Sequence, residues 1–276
     1  MAACIHDKTN GSAPVALRHH VLSAVRQILL IAVLYIAYRF GRMVSSGDVA
    51  EAYRNAHSVW HFERSLGLPS EDSLQRLLMQ HTTVLRAANW YYVGFHFPVT
   101  VIFLAWLWLR HRAEYARART ALMLLTAAGL VVHALYPLAP PRMISSIGMV
   151  DTGLRFGPSP YAGAVGSAAN QFAAMPSLHV GWAVLVAIWT IRKAPRWVGA
   201  LAVAHAGITT FVVVITANHY WIDGVAGIVL VLVAVGLINR YDTGKARAQG
   251  TTDPRVDDGS SEPTADERVS VHQLQS

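Results

Sequence analysis

His219 and Asp223 stand at i and i+4 in Asn218-His219-Tyr220-Trp221-Ile222-Asp223-Gly224, a spacing that makes them neighbours on one helical face. A carboxylate so placed can accept the Nδ1–H of the imidazole and fix the tautomer whose Nε2 is free to attack. In Met175-Pro176-Ser177-Leu178-His179, Pro176 and Ser177 mark a helix start, where unpaired backbone N–H groups and a positive dipole end seat an anion. His179 beside that seat could protonate a departing oxygen. Arg142, after Pro137-Leu138-Ala139-Pro140-Pro141, carries a permanent forked charge suited to phosphate oxygens. These parts fit phosphoryl transfer with no metal and no cofactor. The two histidines and the aspartate could also ligate a metal, although Arg142 would repel a cation in the same pocket.

The elements that must hold these residues are membrane helices. Of 276 residues, 53% are apolar and only 14% charged, and the mean hydropathy is positive. Soluble domains carry about a quarter charged residues. The single cysteine, Cys4, excludes an internal disulfide framework and a cysteine zinc site. Twenty Arg and three Lys against 16 acids leave a net charge of +7, and with 8 Trp and 10 Tyr this points to a membrane rather than nucleic acid as partner. A span needs about 20 mostly apolar residues. Runs at 88–109, 120–138, 178–191, 198–217 and 222–238 approach or meet that length. A weaker run at 21–40 contains Arg26 and Arg39, both near its ends and able to snorkel. The expectation is an all-α polytopic membrane bundle of about six transmembrane helices.

Short-loop arginines set the orientation. Arg110, Arg112, Arg117 and Arg119 lie between the second and third runs, and Arg192, Lys193 and Arg196 between the fourth and fifth. The alternating loops are poor in basic residues, so Arg142, His179, His219 and Asp223 converge on the extracytoplasmic face of a multi-pass cell-membrane protein. Residues 1–20 are then a cytoplasmic segment, 21–240 the membrane domain, and 241–276, polar with seven acids, a disordered cytoplasmic tail. No cleavable signal is evident. In the loop 41–86, Ser70 reads as an N-cap followed by Glu71 and Asp72, with Leu74, Leu77 and Leu78 on one face of a helix that either lies on the outer leaflet or caps the bundle. His133 and His96 fall below the outer ends of their spans, in range to back the pocket or to be structural. His205 reads as a structural residue towards the cytoplasmic side.

The stretches Tyr136-Pro137-Leu138-Ala139-Pro140-Pro141-Arg142, Ala174-Met175-Pro176-Ser177-Leu178-His179 and Ala217-Asn218-His219-Tyr220-Trp221-Ile222-Asp223 resemble the type-2 phosphatidic acid phosphatase superfamily. The nearest likeness is to its inositol phosphorylceramide synthase-like, or inositolphosphotransferase, branch. It extends over roughly residues 50–240 and includes Phe62-Glu63-Arg64 and His96-Phe97-Pro98. The resemblance implies a six-helix membrane bundle acting on lipid phosphates or diphosphates without a metal. It implies that His219 becomes a phosphohistidine, Asp223 orients it, His179 protonates the leaving group, and Arg142 binds phosphate; the helix start itself adds Ser177 to that phosphate seat. Two of the superfamily's usual cations are replaced, by Leu135 and Val213; a phosphodiester or lipid headgroup, with less charge, needs fewer of them. Discharge by water would make the chain a phosphatase, and discharge by an alcohol such as inositol a transferase. The alternative from another class is a non-catalytic lipid-headgroup-binding protein or small transporter, for which paired broken helices or a half-repeat are expected.

Overall fold

The computed structural model describes residues 49–159 and 171–250, together with Leu29 and Ile36. The weak first run at 21–40 and the segment 1–20 therefore lie outside the described stretches, those two residues apart. Every regular element among the described residues is helical. They are α1 (Val49–Ser65), α2 (Glu71–Leu78), α3 (Thr82–Gly94), α4 (His96–Arg110), α5 (Arg112–Leu135), α6 (Thr152–Phe156), α7 (Leu178–Lys193), α8 (Arg196–Ile215) and α9 (Trp221–Gly250), with short 3-10 turns at Pro141–Met143 and Ser145–Ile147.

By length and composition, α5, α8 and the Trp221–Arg247 part of α9 can each cross a membrane, and α3 with α4 qualify as one bent pair. The bend is 45° and has a local cause. Pro98 has no N–H to give the Gly94 carbonyl, and its ring clashes there, so the run read as one span at 88–109 is two helices meeting at Phe95. The run at 178–191 is also shorter than a span. Its helix has 16 residues, about 24 Å of rise against a hydrocarbon core of about 30 Å, because it begins inside the bundle at Ser177.

Helix α7 runs from inside the bundle out to one of its ends. At its start, the Ser177 hydroxyl accepts from Val180 N at 3.4 Å. At its end, Lys193 Nζ lies 2.9 Å from Glu114, which also takes Trp189 Nε1 at 3.1 Å and faces Arg117 at 3.5 Å. The two basic connections, before α5 and after α7, thus share one end of the bundle.

Outside the spans, α2 caps the bundle with a mixed face. Leu74 and Leu78 pack against the core as the sequence suggests, but Leu77 is 70% exposed while Glu71 and Gln75 are buried, so the packed face is part leucine and part polar. Gln75 determines the choice. Its amide donates to the Val150 and Ile215 carbonyls, both at 2.9 Å, and its oxygen accepts from Val150 N at 2.8 Å. Three buried backbone groups are thereby satisfied, which outweighs burying one more leucine. The Ser70 hydroxyl bonds Asp72 and makes no cap bond to the α2 backbone.

The chain divides at Ile238 into two compact units. In the second, helix continues from Asn239 to Gly250, so the first ten residues of the segment read as a tail are helical; 251–276 lie outside the described residues.

Candidate active site

Backbone pairing brings the three stretches together. Leu138 N donates to Phe172 O at 2.8 Å and Ala174 N to Leu138 O at 3.3 Å, an isolated parallel bridge. Arg142 N donates to Ala217 O at 3.1 Å and Ser177 N to Asp223 O at 2.8 Å. Arg142, His179 and the His219–Asp223 pair are therefore positioned by main-chain bonds that do not depend on any ligand.

His219 is buried. Its Nδ1 lies 2.8 Å from the Ala174 carbonyl and 3.4 Å from Asp223 Oδ2. A carbonyl can only accept, so Nδ1 carries the hydrogen and Nε2 keeps its lone pair. Asp223 is thus a second, longer partner of that hydrogen. Its Oδ2 also accepts from Tyr220 N at 2.9 Å, the reach-back bond of a capping box, since Tyr220 immediately precedes α9. The i, i+4 pair is at once a helix cap and an imidazole support.

The turn ahead of His219 is tight. Val213 O accepts from both Asn218 N and His219 N at 3.1 Å, and Ala217 sits at φ 59°, a left-handed conformation that ends α8 and usually falls to glycine. Val213, at a position where a family cation is absent, contributes its carbonyl instead. Leu135, at the other, points away and is exposed.

Arg142 is nearly buried, with Nη1 2.8 Å from Asn218 Oδ1 and Nε 3.3 Å from Asp151 Oδ2. These two acceptors fix the plane of the guanidinium. Neither stood out in the sequence, although Asn218 adjoins the histidine. Asp151 also caps α6 through Leu154 N at 2.9 Å.

His179 is half-buried, its ring 6.1 Å from that of His219, stacked on Tyr92 at 4.5 Å and 4.8 Å from His96. His96 is buried and continues to Trp182 and His205, at 5.7 and 6.2 Å. His205, read as a structural residue, thus lies at the far end of this ring series, and Tyr91 Oη is held between its Nδ1 at 2.5 Å and Thr209 at 2.9 Å. His133 donates Nε2–H to Pro176 O at 3.2 Å, just ahead of the start of α7. Ser177 is fully buried, its hydroxyl directed at its own helix. Among the described residues, no three His, Cys, Asp or Glu side chains are grouped as metal ligands would be.

A protein of Bacteroides thetaiotaomicron named phosphoinositol dihydroceramide synthase is 28% identical over 149 residues, 48% of each chain. The chain thus spans about half the length of this curated relative. No solved structure matches. A family model described as PAP2 superfamily matches residues 57–237, well over half of the chain and every residue of the site, and the chain belongs to that superfamily.

Proposed function

We propose that the protein is a membrane phosphotransferase or phosphatase acting on a lipid phosphate or diphosphate at the extracytoplasmic face, through a phosphohistidine at His219 and without a metal. The observation that carries this reading is the Ala174 carbonyl at 2.8 Å from His219 Nδ1, which leaves Nε2 as the nucleophile of a ring 6.1 Å from that of His179. His219 Nε2 attacks phosphorus, the bond from phosphorus to the leaving oxygen breaks, and His179 gives that oxygen a proton. Arg142 and the N–H groups at the start of α7 hold the equatorial oxygens. Ser177 acts there through the helix start that it caps. An acceptor hydroxyl then loses its proton to His179 and displaces the histidine. His133 and His96 support the site from behind, His133 through Pro176 O and His96 against the ring of His179. The name of the relative, about half of which the chain covers, favours an alcohol acceptor over water, and the two replaced cations favour a phosphodiester or lipid headgroup over a phosphate monoester as donor. The shared end of the two basic connections supports an extracytoplasmic site at the opposite end, under the positive-inside rule.

The test is purified protein in detergent with EDTA and a panel of radiolabelled lipid phosphates, diphosphates and inositol phospholipids, with and without inositol or a ceramide. Transfer or phosphate release that survives EDTA is expected, and the labelled product identifies the acceptor. Activity destroyed by EDTA would overturn the metal-free chemistry.

Arg142→Ala is expected to lower kcat/KM by roughly 10²-fold or more, the scale for removing a charged partner from a desolvated site. Arg142→Lys should recover little, because an ammonium cannot span Asn218 and Asp151 as the guanidinium does. Unchanged kinetics in both variants would remove Arg142 from the phosphate site.

A further inference from the structure

Glu63 and Glu71 come from different helices and are 0% and 1% exposed. Gly67, at φ 69°, lets the chain reverse after α1, with Leu68 N returning to Glu63 O at 3.1 Å, and this turn lays the start of α2 against the end of α1. Among the described residues, one cation serves the two carboxyls. Arg64 Nη2 is 2.8 Å from Glu71 Oε2 and 3.9 Å from Glu63 Oε2. Among the described residues, the remaining oxygens, Glu63 Oε2 and Glu71 Oε1, are buried and find no N–H or hydroxyl donor, and the carboxyls themselves are within hydrogen-bonding reach of each other. Two bare carboxylates would repel in such a place; a single proton between them satisfies both. Burial and the bond to Glu71 push Glu63 up to about 9, which makes Glu63 the acid of the pair, while Glu71 keeps the close contact with Arg64.

The other oxygen of Glu63 reaches the site. Glu63 Oε1 accepts from Ile222 N at 2.7 Å, in the first turn of α9 and next to Asp223. Trp221 Nε1 donates to Pro69 O at 2.9 Å, in the same reversal. A neutral acid in this position satisfies a first-turn amide without adding a second anion beside Asp223.

We propose that Glu63, sharing a proton with Glu71 and backed by Arg64, is a positioning residue that clamps the first turn of α9 and so keeps Asp223 and His219 in register. This rests on the histidine chemistry proposed above. The groups facing the shared proton are Glu71 from α2, Arg64 from α1, and Asp223 and Tyr220 at the start of α9. Because the folded protein holds this proton more tightly than the ordinary value of 4.5, its contribution to stability is complete below that value and is lost progressively as pH rises to about 9. Above that pH the clamp consists of two facing anions.

The experiment compares the full-length wild type, Glu63→Ala, Glu63→Gln and His219→Ala in detergent. It measures kcat, KM, their pH dependence, and amide hydrogen exchange of the peptide covering residues 219–224. Glutamine keeps the acceptor for Ile222 N and donates permanently to Glu71. Glu63→Ala is expected to lower kcat at least about 30-fold with KM within about threefold, and to speed exchange in 219–224 about tenfold or more, in line with a displaced catalytic group. Glu63→Gln is expected to restore both and to abolish the decline of wild-type turnover above pH 9. Alanine with wild-type exchange, or glutamine retaining the alkaline decline, would overturn the clamp. Turnover that survives His219→Ala would overturn the histidine mechanism instead, and the exchange comparison would still decide the role of Glu63.

Discussion

Replacing His219 with alanine is expected to reduce turnover by at least about 10⁴-fold, the scale on which removal of a covalent nucleophile acts. The replacement should leave the fold standing. The turn that carries His219 is held by main-chain bonds from Val213, and Tyr220 N keeps Asp223 as its acceptor. Lipid retention and thermal stability should therefore change little while the chemistry stops. Rapid acid-free quenching of the wild type with ³²P-labelled substrate should trap a phosphoprotein that is stable to alkali and lost in acid, and His219→Ala should trap none. Asp223→Asn separates orientation from attack. An amide can still accept weakly from Nδ1, and Ala174 O continues to fix the tautomer, so a smaller loss of about 10²-fold is expected, in line with removal of an orienting and charge-stabilising partner. An alkali-stable phosphoprotein in His219→Ala would place the nucleophile elsewhere, and wild-type turnover in that variant would end the histidine mechanism.

The side-chain part of this site was legible because its residue types are few and their spacing is helical. His219 and Asp223 at i, i+4 could be read as a pair, and Pro176-Ser177 as a helix start. The bond that decides the tautomer was not legible. Ala174 acts through its carbonyl from 45 positions away, and no side-chain identity records a backbone acceptor. Asn218 was hidden in a different way: it looked like a turn residue, and only the fold shows it gripping Arg142. For the bundle, hydropathy located the long helices but not the break in the second run. Gly94 and Pro98 carried that information, since a proline removes the bond to the residue four before it, and average hydropathy over the window concealed it. Glu63 was the least legible. The acids and arginines of 41–86 balance in number, which reads as a solvated loop, whereas burial has sorted three of them into one proton-sharing cluster.

The same main-chain logic sets the second large expectation, at a residue with no side chain. Gly227 of α9 faces the start of α7, and a Cβ there would lie 2.4 Å from the Ser177 carbonyl oxygen and 3.3 Å from Gly181 N. Neither atom can turn aside, because Ser177 O already accepts from Gly181 N at 3.1 Å in the first turn of the helix that bears His179. Gly181 returns the contact, its own Cβ position being 3.1 Å from Gly227 O. Gly227→Ala must therefore push α7 and α9 apart where His179 and His219 face each other. An overpacked helix contact costs about 1–3 kcal/mol, and a displacement of about 1 Å between reacting groups costs on the order of 10²-fold in rate. Turnover is expected to fall at least 10²-fold on that scale, with a lowered melting temperature. Gly236 on the same helix has nothing within 4 Å of its Cβ position, so Gly236→Ala should keep activity and raise stability by about 0.5–1 kcal/mol through helix propensity alone. Opposite signs from one substitution nine residues apart would locate the tight contact at the site. Equal, harmless outcomes would mean that α7 and α9 have room to spare, and that the spacing of the two histidines is set by the Ala174 and Ser177 backbone bonds alone.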